Sequence, residues 1–331
     1  MENRHPALQI GAAVVALALL VRLFGVLGQD PQALSALVYL QTGRVVRLSA
    51  PVPTRPQAEA TESTQAEASI PEASATEPEA APLSIGSLSL SDIEVNYDVE
   101  VAVDLQALLE MPLSWDLTDG EPAVLILHTH AAESYTRQAW EEYEESSAYR
   151  TLDENYNMVS IGDEVARILE EGGICVIHDR QYHDYPSYSG SYSAARETIA
   201  QYLQDYPSIR VVLDLHRDAM DLEDGSQLVT AAVVDGQNAA QIMLVAGTDT
   251  NLNFPNWQEN LALALKLTAV LEQADPGICR PLNLRAQRFN QDMTSGSLLV
   301  EIGASGNTHE EALVAARALA EGILALAHGA Q

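Results

Sequence analysis

Val124-Leu125-Ile126-Leu127-His128-Thr129-His130-Ala131-Ala132-Glu133-Ser134-Tyr135 begins as a strand and ends in polar groups. Its first four residues are apolar and two of them are β-branched, the pattern of a buried strand. The residues that follow are polar where a core strand would stay apolar. Buried His and Glu cost free energy unless they are paired or bound to a metal. α/β folds place their chemistry at such strand ends.

Two later stretches repeat the design. Val211-Val212-Leu213-Asp214-Leu215-His216-Arg217-Asp218 runs from an apolar strand into a histidine flanked by charges. Leu298-Leu299-Val300-Glu301-Ile302-Gly303 places a carboxylate inside an apolar strand. If the three strands lie side by side, their polar residues converge. His130-x-x-Glu133 offers a nitrogen and a carboxylate that one tight turn can aim at a single ion. With His216 these residues supply three zinc ligands and leave a fourth position for water, the pattern of a catalytic site. Glu301 is then the general base that takes a proton from that water and returns it to the leaving amine. Arg217 is a candidate for stabilising the oxyanion or holding a substrate carboxylate. Asp214 or Asp218 can orient the His216 ring through its other nitrogen, and Asp214 can equally be a structural partner of Arg217.

The other histidines read differently. His128 alternates with His130 along the strand, so one of the two points into the core or supports the site. His130 is preferred as the ligand because it pairs with Glu133, and His128 stays open as its replacement. His178 reads as a satisfied residue at a strand end, and His183, His309 and His328 as surface residues. The loop Tyr182–Tyr192, rich in Tyr, Ser, Gly and Pro, reads equally as a binding loop or a solvated crossover. The sequence holds no GxSxG elbow, no GxxxxGK[ST] phosphate loop and no GxGxxG.

Strands are expected at 124–128, 174–178, 210–216, 228–234, 242–247 and 297–302. A helix marked by Ile161, Val165, Ile168 and Leu169 should end at Gly172-Gly173. A second carries Tyr192, Ala195, Ile199, Tyr202 and Leu203, and a third runs from Trp257 to about Gln273. A last helix starts near Thr308, where Thr308-x-x-Glu311 is a capping box, and ends near Ala327. This alternation predicts an α/β fold, a mixed and largely parallel sheet flanked by helices.

Residues 7–27 are mostly apolar, interrupted by Gln9 and Arg22, and long enough to span a bilayer. They read as an uncleaved signal anchor, with a cleaved signal peptide as the alternative. Residues 1–50 thus form a membrane anchor with a juxtamembrane segment, in which 34–48 is a short helix or strand. Residues 51–84 are a Pro/Ala/Glu-rich tether that cannot bury enough apolar surface to order itself. Residues 85–331 are the globular domain. In a chain of 331 residues with a formal charge of −30, nucleic acid is an improbable partner because a polyanion is repelled. The single lysine, Lys266, falls in a helical pattern. Cys175 and Cys279 form no CxxC pair, and Cys175 reads as a small core residue.

His128-Thr129-His130-x-x-Glu133-Ser134-Tyr135 and Asp214-Leu215-His216-Arg217-Asp218-Ala219 occur in one chain with Gly247-Thr248-Asp249 and Asn256-Trp257-x-x-Asn260. Asn290-Gln291-Asp292 then leads into Leu299-Val300-Glu301-Ile302-Gly303 and Asn307. This ordered set resembles the stage II sporulation protein P family over roughly residues 90–325, and the anchor and tether match that family's layout. The resemblance implies a zinc-dependent N-acetylmuramoyl-L-alanine amidase with associated endopeptidase activity, and a fold similar to amidase-3 type hydrolases and, more distantly, zinc carboxypeptidases. It also implies a single-pass membrane protein with an extracytoplasmic catalytic domain. That domain would degrade septal peptidoglycan during forespore engulfment, alongside stage II sporulation proteins D and M. The sequence departs from the family pattern at Ala131-Ala132, where polar residues are common. Two other functions fit parts of the sequence, a zinc carboxypeptidase acting on stem peptides and a catalytically inactive anchored scaffold.

Overall fold

Four apolar residues in a row suit a strand covered on both faces, and Val124–Leu127 (β3) is buried throughout. Its side chains divide by the two-residue period of a strand. Val124 and Ile126 face a large core with Ile161, Val165 and Leu169, whereas Leu125 and Leu127 face a smaller one with Ala195 and Ile199. The computed structural model describes residues 46–48, 87–113, 115–222, 224–250 and 253–329. The expected anchor over 7–27 and the tether over 51–84 lie outside the described residues.

Among the described residues the strands are β1 (Val46–Leu48), β2 (Val95–Tyr97), β3, β4 (Glu145–Ser147), β5 (Arg150–Thr151) and β6 (Val176–His178), followed by β7 (Val211–Asp218), β8 (Leu228–Val234), β9 (Gln237–Ala240), β10 (Ile242–Gly247), β11 (Leu282–Arg285) and β12 (Ser297–Ala304). The α-helices are α1 (Leu105–Glu110), α2 (Met158–Glu171), α3 (Ser191–Asp205), α4 (Trp257–Ala274) and α5 (His309–Gly329). The main sheet has seven strands in the order β2-β11-β10-β12-β7-β3-β6. β10 runs antiparallel to β12, and every other neighbouring pair in this sheet is parallel. The fold is therefore the expected mixed, largely parallel sheet with helices on its faces.

Each expected strand and helix is present within a few residues. α2 ends at Gly172, and Gly173 adopts φ 88°, a left-handed conformation that favours glycine. The capping box forms as expected: Glu311 N–H donates to Thr308 Oγ1 at 3.1 Å, and Thr308 N–H donates to Glu311 Oε2 at 3.1 Å. The 228–234 strand forms, but in a separate antiparallel sheet, β1-β8-β9. β8 and β9 are joined through Asp235-Gly236, both at positive φ, the Asp-Gly signature of a tight hairpin. β1 lies within the expected juxtamembrane helix or strand and pairs with β8, Val46 opposite Thr230. The short elements β2, α1, β9 and β11 carry no pattern long enough to stand out in the sequence.

α5 is the one helix among the described residues that is long and apolar enough to cross a membrane, yet 67% of that apolar stretch is buried in the fold. It is a core helix, packed against α2 and α4. Both cysteines are free thiols.

Candidate active site

β12, β7 and β3 lie side by side, as the convergence of their ends requires. The register sets Glu301 opposite His216 and Leu127 opposite Asp214. After β3 the chain turns through residues 129–132, and Glu133 N–H closes the turn on the His130 carbonyl at 3.1 Å. This tight turn brings His130 and Glu133 to one side. The His130 and His216 rings meet edge to face with centroids 5.2 Å apart, and Glu133 Oε2 is 3.7 Å from His216 Nδ1. All three side chains are buried.

Asp214 anchors the turn from behind. Thr129 donates to it twice, from N–H to Oδ1 at 2.8 Å and from Oγ1 to Oδ2 at 2.6 Å. The same carboxylate sits 2.9 Å from His216 Nε2, the orienting role expected of it or Asp218. It does not partner Arg217. Asp218 pairs instead with Arg280 at 2.8 Å.

His128 is fully buried, and both its ring nitrogens are engaged. Nδ1 meets the Leu215 carbonyl at 3.1 Å and Nε2 meets His178 Nε2 at 2.9 Å. His178 Nδ1 in turn meets Asp163 Oδ1 at 3.0 Å, so it is the satisfied strand-end residue the sequence suggested. Gly162 makes room for this pair: a Cβ there would lie 2.5 Å from His178 Nε2 and 2.7 Å from His128 Nε2. His183 and His309, read as surface residues, are buried. His183 bonds the His128 carbonyl at 3.0 Å and Thr198 Oγ1 at 3.0 Å, and His309 bonds Ser160 Oγ at 2.7 Å. Hydrogen bonds to distant residues make such burial possible, and sequence spacing does not reveal them.

Arg217 is buried and spends its guanidinium on the protein. Nε donates to the Ser134 carbonyl at 2.9 Å and Nη2 to the Tyr149 carbonyl at 2.8 Å, with Nη1 3.7 Å from Glu133. It braces the turn that carries Glu133. A second arginine, Arg150, was not singled out by the sequence. Its Nη2 donates to Glu133 Oε1 at 3.2 Å and its Nη1 to Asp184 Oδ2 at 2.8 Å. Its guanidinium also lies over the Tyr188 ring, 4.7 Å from the centroid. Tyr188 stacks on His130, with centroids 4.5 Å apart and planes 12° apart, and Tyr192 stands edge-on to His130 at 5.6 Å. The tyrosine-rich loop thus covers the site. No local motif marks Arg150 or Asp184; they reach the site only through tertiary contact.

Charge in this buried cluster is unevenly distributed. Burial lowers His130 to about 4, and Glu133 only partly opposes that. Burial also works against a charge on His216, but Asp214 beside it, followed by Glu133 and Glu301, raises its pKa to about 10. Burial raises Glu301 to about 8, with Asp218 and Glu133 adding to the rise while His216 and Arg280 oppose it. Two atoms here are buried without a hydrogen-bond partner, His130 Nδ1 and Glu301 Oε2, whereas His216 Nε2 faces Asp214 Oδ1 at 2.9 Å. Each such atom costs about 1–3 kcal/mol unless a water, ion or ligand completes it. The donor set His130, Glu133 and His216 suits a borderline-soft divalent ion such as zinc: His130 Nδ1 is unpartnered, and His216 Nδ1, the ring nitrogen turned away from Asp214, lies 3.7 Å from Glu133 Oε2. Among the described residues no group of three or more His, Cys, Asp or Glu side chains is drawn together tightly enough to hold a metal as it stands. Here Glu133 leans towards Arg150 and Arg217.

Several known proteins resemble the chain. Three solved amidase structures share a distant likeness. The CwlD amidase of Clostridioides difficile, in complex with the GerS lipoprotein, is 13% identical with a TM-score of 0.40, over 62% of this chain and 99% of that one. The N-acetylmuramoyl-L-alanine amidase AmiC2 of Nostoc punctiforme is 14% identical with a TM-score of 0.36, over 62% and 96%. The catalytic domain of CwlV, an N-acetylmuramoyl-L-alanine amidase from Bacillus (Paenibacillus) polymyxa var. colistinus, is 13% identical with a TM-score of 0.35, over 61% and 96%. Stage II sporulation protein P of Bacillus subtilis (strain 168) is 27% identical over 215 residues, which are 62% of this chain and 51% of that protein. The chain spans about half the length of this curated relative. Residues 46–324 match the family as a whole, a span that holds β1, the three converging strands and the turn between them, and on that match the chain belongs to the stage II sporulation protein P family.

Proposed function

We propose that the chain is a zinc-dependent peptidoglycan hydrolase that cleaves the amide between N-acetylmuramic acid and L-alanine. The observation that carries this reading is the meeting of His130, Glu133, His216 and Glu301 at three adjacent strands, with His130 Nδ1 and Glu301 Oε2 buried and unpartnered. Membership of the stage II sporulation protein P family supports the substrate and the setting, septal wall degradation during forespore engulfment. Endopeptidase activity on cross-linked stem peptides, cooperation with stage II sporulation proteins D and M, and a single-pass anchor with the domain outside the cytoplasm belong to the same proposal.

His130, Glu133 and His216 would hold the zinc. When bound, the ion supplies Lewis acidity, polarising a carbonyl and lowering the pKa of a water towards roughly 7. The protein does the rest. Asp214 holds the His216 ring in place and fixes the 129–133 turn through Thr129. Arg217 and Arg150 neutralise Glu133 and fix its carboxylate. Glu301, whose affinity for a proton is raised by burial, accepts a proton at Oε2 and passes it to the departing amine. The tyrosine-rich loop excludes water from the His130 side.

The test is to incubate the full chain with peptidoglycan and analyse the products by mass spectrometry. Stem peptides released with a free L-alanine N-terminus are expected. Release of C-terminal D-alanine alone would replace the amidase with a carboxypeptidase. Metal analysis should give about one zinc per chain, and Glu301→Gln should keep the metal while losing hydrolysis by at least about 100-fold.

A further inference from the structure

The motif Asn290-Gln291-Asp292 takes no part in the site described above, yet it is built with care. Phe289 and Asn290 both adopt left-handed conformations, φ 50° and 58°. For a bulky residue such as Phe this is strained, and strain of this kind persists only where surrounding structure holds it in place. Here the clamp is Gln291, which is buried. Its Oε1 accepts from Gly247 N–H at 2.8 Å, its Nε2 donates to the Val245 carbonyl at 2.7 Å, and its own carbonyl accepts from Asn260 Nδ2 at 2.7 Å. Asn290 Nδ2 donates to the Tyr192 carbonyl at 2.8 Å, tying the turn to the start of α3. The motifs Gly247-Thr248-Asp249 and Asn256-Trp257-x-x-Asn260 thus serve, through Gly247 and Asn260, to hold this one turn.

The clamp shapes an open groove of about 430 Å³, lined by Tyr192, Ser193, Arg196, Arg288, Phe289 and Asn290, among others. The groove adjoins the candidate active site. The Tyr192 ring stacks 6.3 Å from His216 on one side and lies 5.9 Å from the Phe289 ring on the other. Its charge runs against that of the chain. Asp292 is the one carboxylate lining it, and two guanidinium groups meet there. Arg196 holds Asp292 with both terminal nitrogens, at 2.7 and 2.9 Å, and Arg288 reaches it from Nη1 alone at 3.0 Å. That contact is the only hydrogen bond the Arg288 side chain makes among the described residues, and the side chain is one-third exposed. One positive charge and several N–H donors are left facing the groove, in a protein of formal charge −30. Phe289 and Tyr192 supply apolar walls beside them.

Resting on the hydrolase reading, we infer that this groove is the acid-recognition subsite for the substrate's peptide, in which Arg288 takes a free carboxylate. Tyr192 is the wall that this groove shares with the candidate active site. Arg288 is offered as a specificity residue. It touches the peptide and leaves the reacting atoms to the other groups.

The experiment measures kcat and KM of the full chain on two synthetic muramoyl peptides, one with free stem carboxylates and one with the same carboxylates converted to amides. Wild type should prefer the acid by about tenfold in kcat/KM, mostly through KM, the effect of one charge-assisted hydrogen bond. Arg288→Gln should bring the acid down to the level of the amide and leave the amide unchanged, and Arg288→Lys should restore part of the preference. Equal cleavage of both peptides by wild type overturns the inference, as does an equal loss on both in Arg288→Gln. If wild type cleaves neither peptide while its thermal transition is intact, the hydrolase reading fails and takes the subsite with it.

Discussion

Arg150 ties three parts of the site together: Glu133, Asp184 and the Tyr188 ring that lies on His130. Its Nη2 holds Glu133 Oε1, while the other oxygen, Oε2, lies 3.7 Å from His216 Nδ1. Arg150→Met should therefore weaken zinc binding by about tenfold or more, measured by competition with a chromogenic chelator. Arg150→Lys should recover only part, because an ammonium cannot reproduce the planar fork. His309 gives a prediction of a different kind. Burial lowers its pKa to about 4, whereas the unfolded chain should sit near the ordinary value of about 6.5. Between these pH values the unfolded state binds the extra proton. The stability due to the neutral ring is thus complete above about pH 6.5 and is lost as pH falls towards 4, on the order of 3 kcal/mol. His309→Gln should flatten the fall of the melting midpoint between pH 6.5 and 4. An unchanged pH profile would show that the ring titrates alike in the folded and unfolded states.

The elements behave as their local chemistry demands. The 21-residue α5 begins at a reciprocal cap, Thr308 with Glu311, and its apolar length is spent on the core. Thr308→Ala should cost about 1 kcal/mol in chemical denaturation and leave hydrolysis unaltered, since no contact of this cap reaches the site. β7 and β12 were readable as eight-residue, mostly apolar strands with charged residues at telling positions, α2 and α4 as helical faces, and β3, although only Val124–Leu127, as four apolar residues in a row. β11 (Leu282–Arg285) interleaves its leucines with Asn283 and Arg285, and α1 has only Leu105–Glu110, so neither shows an unbroken apolar run or a helical period. β8 was readable as a strand. Its membership of a second sheet was not, because pairing with β1 and β9 is a tertiary choice.

At the scale of the molecule, His130 Nδ1 and Glu301 Oε2 are buried without a partner in the protein, at a cost to the fold that a bound ligand would offset. A ligand that binds only the folded state stabilises it by mass action. Zinc added to chelator-stripped protein should raise the melting midpoint by several degrees, an effect that His216→Ala should abolish. An unchanged midpoint on adding zinc would count against the proposed metal site. β1 (Val46–Leu48) adds an antiparallel strand to the β8–β9 hairpin, with Val46 opposite Thr230.

The sequence by itself determined the class of fold, the three strands that end in His130/Glu133, His216 and Glu301, and the capping box of the last helix. Each of these is encoded by residues close together in the chain, where apolar period and side-chain spacing speak directly. The tertiary structure alone decided the rest. It set β12, β7 and β3 as neighbours, turned His128 away into a bonded pair with His178, and spent Arg217 on backbone carbonyls. It brought Arg150 and Tyr188 onto the site from a short strand and a crossover loop. These depend on contacts between residues tens of positions apart, and burial decides them: a polar group enters the core only where another part of the chain completes its hydrogen bonds.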